Sequence, residues 1–255
     1  MEAIQMKIVV AAMTLLVLWS CSPKEEETGP KEEAVSEEEI VEKELTEEEK
    51  LMEALPEADL KDWNLILVNP KQALAEDFQP TLEEVDNEQR VDERIVDAWI
   101  DWKEAAQEAG HRLFLASAYR DRKRQENNFQ AEVNQQLDEG LSEEEAFEKA
   151  KEYLTEPGHS EHHTGLALDI VDEDWIVSGR GLEEAYEEEA SQQWLMETKA
   201  DYGFILRYPE RKEDITEIEY EPWHFRYVGP EHAAFIEENE LAFEEYIELL
   251  EEAEK

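Results

Sequence analysis

The order of the sequence patterns predicts an α+β fold in which a small, mainly antiparallel sheet is flanked by helices. Short segments with strand character are separated by amphipathic, capped helical segments, and a hairpin joins the last two strand segments. The composition also changes at Trp63, where an acidic, low-complexity stretch gives way to globular sequence. About 190 residues follow, which is a usual size for one domain with a complete core.

The N-terminal residues have the pattern of an export signal. Met6 to Cys21 contain a lysine, an apolar run and the only cysteine of the chain. A membrane-spanning helix needs about 20 apolar residues, and this run is shorter, so it is typical of a secretory signal. Leu18 to Cys21 resembles a bacterial lipoprotein box with cleavage before Cys21. We therefore predict a signal peptide at residues 1–20 and an extracytoplasmic protein that is lipid-anchored through Cys21 to the outer face of the membrane; the alternative is an ordinary secretory signal. Because there is one cysteine, no internal disulfide is expected.

Residues 21–62 are predicted to be an acidic, disordered tether ahead of a domain at residues 63–255. Ser22 to Asp62 hold 17 acidic residues and 5 basic ones, and like charges that repel one another favour an extended chain. A part of Ser36 to Leu55 is compatible with transient helix. The acidity continues into the domain, since the whole chain has a net charge of −45. Nucleic-acid binding is not expected, because contact with phosphates needs a basic patch. A saline medium is one hypothesis for this charge.

Each element of the domain follows from a local pattern. Helices are predicted from apolar stripes and caps: Val91–Ala109 closed by Gly110, Asp121 as N-cap to Leu137, Ser142 with Glu145 as a capping box to Tyr153 or Leu154, Glu183–Ala200, and Glu231–Glu254. Strands are predicted at Trp63–Val68, Leu113–Ala118, Leu166–Val171, Phe204–Tyr208 (which leads into a hairpin towards Glu221) and Trp223–Val228.

Two of these segments carry residues that ligate metals. In Leu166–Val171 the apolar residues Leu166, Leu168 and Ile170 share one face, so Asp169 lies on the other. Gly165 permits a turn that returns His162 towards Asp169. In Trp223–Val228 the aromatic residues alternate with His224 and Arg226, so His224 faces away from the aromatic residues. Catalytic zinc takes three protein ligands of this kind, which predicts a site formed by His162, Asp169 and His224.

Spacing alone leaves two points open. His159 and His163 are rival ligands in the same loop. Ideal alternation also places Glu221 and His224 on opposite faces, so Pro222 must bend the chain if both reach one site.

Several separated motifs resemble those of the VanY-type zinc D,D-carboxypeptidases. They are Ser160-x-His162-x-x-Gly165-x-Ala167-x-Asp169, then Glu221-Pro222-Trp223-His224, with Ser117-Ala118-Tyr119-Arg120 and Gln125 upstream. The resemblance extends from about Trp63 to about Gly229. It departs from the family pattern at Glu217, where a glycine is expected after Thr216. The resemblance implies a hedgehog/D,D-peptidase-like fold with one zinc ion at the sheet.

The expected function is removal of the C-terminal D-alanine from peptidoglycan stem peptides by a monomeric enzyme. Glu221 is the expected general base. By the resemblance, Arg120 stabilises the developing oxyanion or binds the substrate carboxylate. Ser117, Gln125 and Ser160 are the candidate carboxylate donors. The alternatives are an L,D-carboxypeptidase or endopeptidase of the same fold, and a non-catalytic peptidoglycan-binding lipoprotein.

Overall fold

A computed structural model describes residues 45–152 and 154–254. The predicted signal peptide, Cys21 and most of the predicted tether lie outside the described residues, as does Tyr153. Within the part that is described, no helix combines the length and the apolar character that crossing a membrane requires.

Helices and strands follow one another along the chain without regular alternation, which is typical of an α+β fold. The helices are α1 (Glu47–Glu53), α2 (Val96–Ala109), α3 (Arg122–Asp138), α4 (Glu143–Lys151), α5 (Glu173–Val177), α6 (Ala190–Thr198), α7 (Glu213–Thr216), α8 (Pro230–Glu238) and α9 (Phe243–Ala253). The strands are β1 (Leu82–Glu84), β2 (Arg90–Asp92), β3 (Leu113–Ser117), β4 (Ala167–Asp172), β5 (Phe204–Leu206) and β6 (His224–Tyr227). Short 3-10 helices cover Glu93–Ile95, Glu161–Thr164, Glu184–Glu188 and Lys199–Tyr202.

The main sheet has four strands in the order β3-β4-β6-β5, and every pair is antiparallel. β1 and β2 form a separate antiparallel pair. The predicted small antiparallel sheet is therefore confirmed. Helix α2 covers the main sheet with two fully buried tryptophans, and Trp102 stacks on Phe204 at 4.9 Å and meets Phe225 edge-on at 5.3 Å. The sheet thus packs against a large aromatic core on one side. The side chains of the sheet that do not face this core are available to form a site.

Helix caps follow the predictions closely. Asp121 accepts a hydrogen bond from the backbone N–H of Arg124 at 2.7 Å and begins α3. Ser142 and Glu145 form the predicted capping box of α4, although α4 ends at Lys151, earlier than predicted. Gly110 closes α2 in the left-handed conformation, with φ of 96°. These features depend on residues three or four positions apart, which the sequence shows directly.

The predicted strand Trp63–Val68 is wrong. The segment has a turn at Trp63 and Asn64 and then backbone without regular secondary structure, and it pairs with no described strand. Its carbonyl groups are satisfied by a buried guanidinium instead, because Arg226 Nη2 donates to Asn64 O at 3.0 Å and to Ile66 O at 2.8 Å. The side chain of Arg226, on β6, therefore makes the hydrogen bonds to these carbonyl groups that a neighbouring strand would make if the segment were a strand.

Three predicted helices have other boundaries. α2 begins at Val96, because Arg90–Asp92 form β2. The predicted helix Glu183–Ala200 is broken at Glu189, which has an extended ψ of 141° between a 3-10 turn and α6. The predicted closing helix is two helices, and Glu240 lies between them with φ of 52°. A residue in this left-handed conformation cannot continue a helix, so the chain turns there.

Helical structure is present within the C-terminal part of the predicted tether. Helix α1 has a capping box at Thr46 and Glu49. Leu51 and Leu55 are partly buried against the cluster of α8 and α9. These apolar residues anchor the end of the acidic stretch to the domain, so the domain starts upstream of Trp63.

Candidate active site

The register of the main sheet brings distant residues to one place. Asp169 on β4 is paired with His224 on β6, and on its other side with Ser117 on β3. Residues that are directly opposite in an antiparallel pair project to the same face. The alternation within β4 and the strand order together place Asp169 beside His224. Both side chains are buried, with 2% and 4% exposure.

His162 reaches the same place from a 3-10 turn at Glu161–Thr164. Gly165 ends the turn with φ of 76°, and a Cβ on this residue would lie 2.8 Å from the backbone nitrogen of Asp92. The position therefore needs glycine both for its conformation and for its close contact. His162 Nδ1 is 2.7 Å from Ala118 O, and only an N–H can bond to a carbonyl oxygen. Nε2 is left with a free lone pair, 3.2 Å from Asp169 Oδ2.

The three predicted ligands present one atom each to a common point. These atoms all lie within 4.8 Å of one another. Asp169 Oδ1 is buried and receives no hydrogen bond of good geometry from the described residues, although His224 Nδ1 is 3.0 Å away. Two nitrogens and a carboxylate oxygen are a ligand set that catalytic zinc takes. The donor set and the unsatisfied buried oxygen therefore fit a bound zinc ion.

The rival ligands are engaged elsewhere. His159 Nδ1 is hydrogen-bonded to Asn69 O at 2.9 Å. His163 Nδ1 donates to Arg120 O at 2.6 Å, and its Nε2 accepts from the backbone N–H of Gly158 at 3.0 Å. His163 thus has no free nitrogen for a metal. It supports the segment that carries Arg120.

Glu221 completes the group as the prediction required. Pro222 and Trp223 form a turn, and the backbone N–H of His224 donates to Glu221 O at 3.1 Å. The bend places Glu221 Oε2 3.4 Å from His224 Nδ1. Burial raises the pKa of Glu221 to about 8, and the neighbouring Asp169 adds to the rise. A carboxyl with such a pKa is suited to accept and return a proton near neutral pH.

The pKa values of the ligands are shifted in different directions. Burial lowers the pKa of His162 to about 4. Burial also disfavours the charged form of His224, but the close carboxylates of Asp169 and Glu161 outweigh it and raise that pKa to about 9. Burial would raise the pKa of Asp169, yet the two histidines hold it well below its usual range. The carboxylate is therefore ionised and ready to bind a cation.

Arg120 lies beside the ligands in a fixed position. Its Nη1 donates to Gln125 Oε1 at 2.8 Å, its Nη2 donates to Ser117 Oγ at 3.4 Å, and its Nη2 is 3.7 Å from Asp169 Oδ2. Gln125 is itself held, because its Nε2 donates to Thr155 O at 2.6 Å. Ser117 and Gln125 therefore orient the guanidinium. Its Nε is buried without a hydrogen-bond partner among the described residues.

These residues form one wall of a cavity of about 500 Å³. Of the residues predicted from the sequence, the cavity wall includes Arg120, Gln125, Ser160, His162, Asp169, Glu221 and His224. Ser117 is buried next to Arg120 and does not line the cavity. The remaining wall is largely apolar and comes from Leu154, Leu182, Tyr208, Ile218 and Trp223, with Glu183 and Glu184 at one side. The volume suits a short peptide end.

A family model described as VanY, D-alanyl-D-alanine carboxypeptidase, matches residues 88–230, which is more than half of the chain. The chain belongs to this family. The match covers every residue of the site described above.

Two relatives are similar to this chain over most of its length. The YodJ protein of Bacillus subtilis is 38% identical over 194 residues, which are 72% of this chain and 67% of YodJ. A D-alanyl-D-alanine carboxypeptidase of Enterococcus faecalis is 35% identical over 197 residues, which are 77% of this chain and 70% of that protein.

Solved structures support the fold and the metal. A mutant of the vancomycin-resistance D,D-pentapeptidase VanY, in complex with Zn(II), superimposes with a TM-score of 0.66 at 35% identity, covering 73% of this chain and 99% of that one. VanYB in complex with D-alanine-D-alanine gives the same score and identity, covering 73% and 98%. The L,D-carboxypeptidase LdcB gives 0.63 at 36% identity, covering 76% and 92%. The predicted fold, family, enzyme class and zinc cofactor are thus confirmed.

A buried ionic network that was not predicted from the sequence lies next to the ligands. Glu161 Oε1 accepts hydrogen bonds from Arg207 Nε and Arg226 Nη1, both at 2.7 Å. Arg207 also makes a bidentate pair with Glu244, at 2.6 and 2.9 Å. Burial would raise the pKa of Glu161, but the two arginines hold it well below its usual range. A signal was present, because arginines within apolar strand segments must find buried partners.

Proposed function

We propose that this protein is a zinc-dependent carboxypeptidase that removes the C-terminal D-alanine from peptidoglycan stem peptides. The observation that carries the proposal is the convergence of His162, Asp169 and His224 with Glu221 on the wall of one cavity, in a chain of the VanY family. Three buried ligands and an adjacent carboxyl with a raised pKa are the parts that metal-assisted peptide hydrolysis needs.

Each residue of the site has a separate role in the proposed reaction. Zinc, when bound, polarises the scissile carbonyl and acidifies the attacking water. Glu221 takes a proton from that water at its carboxylate and delivers it to the amine that leaves. Arg120 supplies a fixed positive charge, either for the oxygen that becomes negative or for the carboxylate of the substrate. Ser117 and Gln125 hold Arg120, so of the three predicted donors Ser160 is the one that lines the cavity and is not engaged with Arg120, and its hydroxyl can donate to the terminal carboxylate.

A second candidate function is L,D-carboxypeptidase activity on tetrapeptide stems. It is favoured by the likeness to LdcB, whose score and identity are close to those of VanY. Both reactions hydrolyse a peptide bond one residue from a free carboxylate and use the same groups. The two functions differ in the residue on the amino side of the scissile bond.

The test is to incubate the purified, zinc-loaded protein with stem pentapeptide and stem tetrapeptide and to identify the products by mass spectrometry. We expect release of a single D-alanine from the pentapeptide and loss of that activity when a chelator removes zinc. Release from the tetrapeptide alone would favour the L,D reaction, and internal cleavage would favour an endopeptidase. Binding of both peptides without cleavage would refute enzymatic function and favour a peptidoglycan-binding protein.

We further propose that the protein is a monomer and that lipid on Cys21 anchors it to the outer face of the cell membrane. The support is the export signal and lipoprotein-box pattern before Cys21, and the acidic segment that follows would give the domain reach from its anchor. Cys21→Ser should move the protein from the membrane fraction to the medium. Retention of that variant in the membrane fraction would contradict lipid anchoring.

A further inference from the structure

The carboxylate of Glu161 stands between the metal ligands and two buried arginines. Its Oε1 is fully used by Arg207 and Arg226. Its Oε2 is 3.5 Å from His224 Nε2, and neither of these two atoms has a hydrogen-bond partner among the residues that the structure describes. Glu161 is 1% exposed. One oxygen is thus held by the arginines while the other is directed at the imidazole.

The position of the proton on His224 decides whether it can bind a metal. Its Nδ1 faces Asp169 Oδ1 at 3.0 Å, so Nδ1 is the ligand atom and must carry a lone pair. The single proton of the neutral ring must then be on Nε2, and a buried N–H needs an acceptor. An ionised carboxylate accepts at both oxygens and donates at neither.

We propose that Glu161 is a positioning residue for zinc, because its Oε2 accepts the Nε2 proton of His224 and so keeps Nδ1 free and correctly oriented for the metal. This inference rests on the proposed function. The two arginines fix which kind of atom of residue 161 faces them. They are donors only, so the atom of residue 161 that faces them must be an acceptor.

The substitution Glu161→Gln tests this point with little change in shape. The glutamine oxygen has to face the two arginines, and its amide N–H₂ then faces His224 Nε2. A donor at that place favours the tautomer with the proton on Nδ1, which is the atom that must bind zinc. Loss of a partner of this kind typically lowers metal affinity about 10–100-fold.

Glu244→Gln is the matched control. Glu244 pairs with Arg207, and among the described residues no hydrogen bond or ion pair joins it to His162, Asp169 or His224. It is therefore a partly buried carboxylate of the same network, with a side chain that is 13% exposed, and it shares the pairing with Arg207 but lacks the proposed positioning role.

The experiment measures zinc affinity by competition with a chromophoric chelator and thermal unfolding of the metal-free proteins by circular dichroism. We expect Glu161→Gln to bind zinc about 10–100-fold more weakly than wild type. We expect Glu244→Gln to keep an affinity close to that of wild type, even if both variants unfold at a lower temperature.

Equal zinc affinity of wild type and Glu161→Gln, or equal weakening in both variants, would overturn the inference. If Glu161→Gln does not fold, Glu161→Asp decides, because it keeps the charge for the arginines but withdraws the carboxylate from His224. Weaker zinc binding by folded Glu161→Asp would support the inference, and unchanged binding would overturn it. Failure of wild type itself to bind zinc would overturn the proposed function.

Discussion

Glu221→Gln separates catalysis from metal binding more cleanly than any other substitution in the site. Glu221 is buried and lies 3.4 Å from His224 Nδ1, but it is not one of the three converging ligands. Glutamine has the same shape, and its amide resembles the neutral carboxyl that the raised pKa of about 8 favours in the metal-free protein. The fold and the ligands should therefore remain in place.

The expected loss of activity follows from the role of the carboxylate. A positioned general base contributes about 10²–10⁴-fold to the rate. This range corresponds to about 3–5 kcal/mol of transition-state stabilisation, since each factor of ten is about 1.4 kcal/mol. Because the amide cannot take a proton, we expect kcat to fall by this factor while KM changes little.

The assay combines the rate of D-alanine release with the zinc content of the same preparation. Glu184→Gln is a suitable control, because Glu184 also lines the cavity but is exposed and is not one of the converging ligands. It should retain most of the activity. Full activity of Glu221→Gln with zinc bound would refute the assignment of the base. Loss of zinc together with activity would show that Glu221 serves the metal rather than the proton transfer.

Three further predictions concern the ligands and the stability of the domain. Asp169→Asn should lower zinc affinity by more than the about 10–100-fold typical of outer partners, measured by chelator competition; unchanged affinity would remove Asp169 from the ligand set. The metal-free protein should lose thermal stability from pH 6.5 to pH 9, because the folded pKa values of His224 (about 9) and Glu221 (about 8) are raised, so the stability present at low pH is lost as pH rises through them. A flat profile would contradict those shifts. The free energy of unfolding should also rise with added sodium chloride, because salt screens a net charge of −45, and no gain would count against self-repulsion.

Glu217 gives a prediction about the backbone. It has φ of 59° at the end of α7, the position where the family resemblance led us to expect glycine. A left-handed conformation costs a non-glycine residue roughly 1–2 kcal/mol. Glu217→Gly should therefore raise the free energy of unfolding by about 1 kcal/mol in chemical denaturation, because part of that gain is offset by the freedom of glycine in the unfolded chain. A loss of stability would show that its ion pair with Lys71 matters more.

Errors in the predicted elements have a common physical origin. The apolar segment Trp63–Val68 has strand character, but its carbonyls are bonded by Arg226. The closing helix was predicted as continuous because its apolar stripe persists, and indeed α8 and α9 pack into one cluster. The break at Glu240 leaves that stripe intact. An apolar pattern reports which side chains are buried, and it does not report what bonds the backbone makes.

Features that depend on neighbours a few positions apart can be predicted from the residues alone: the caps at Asp121 and Ser142, the turn at Gly165, and the types of residue able to ligate zinc. Three other features depend on the folded arrangement: which histidine nitrogen faces the other ligands, the engagement of His163 elsewhere, and the position of Glu161 beside His224. These facts arise from the register between strands that are far apart in the chain and from the exclusion of water around buried charges. Neither register nor desolvation is a property of any short stretch of sequence.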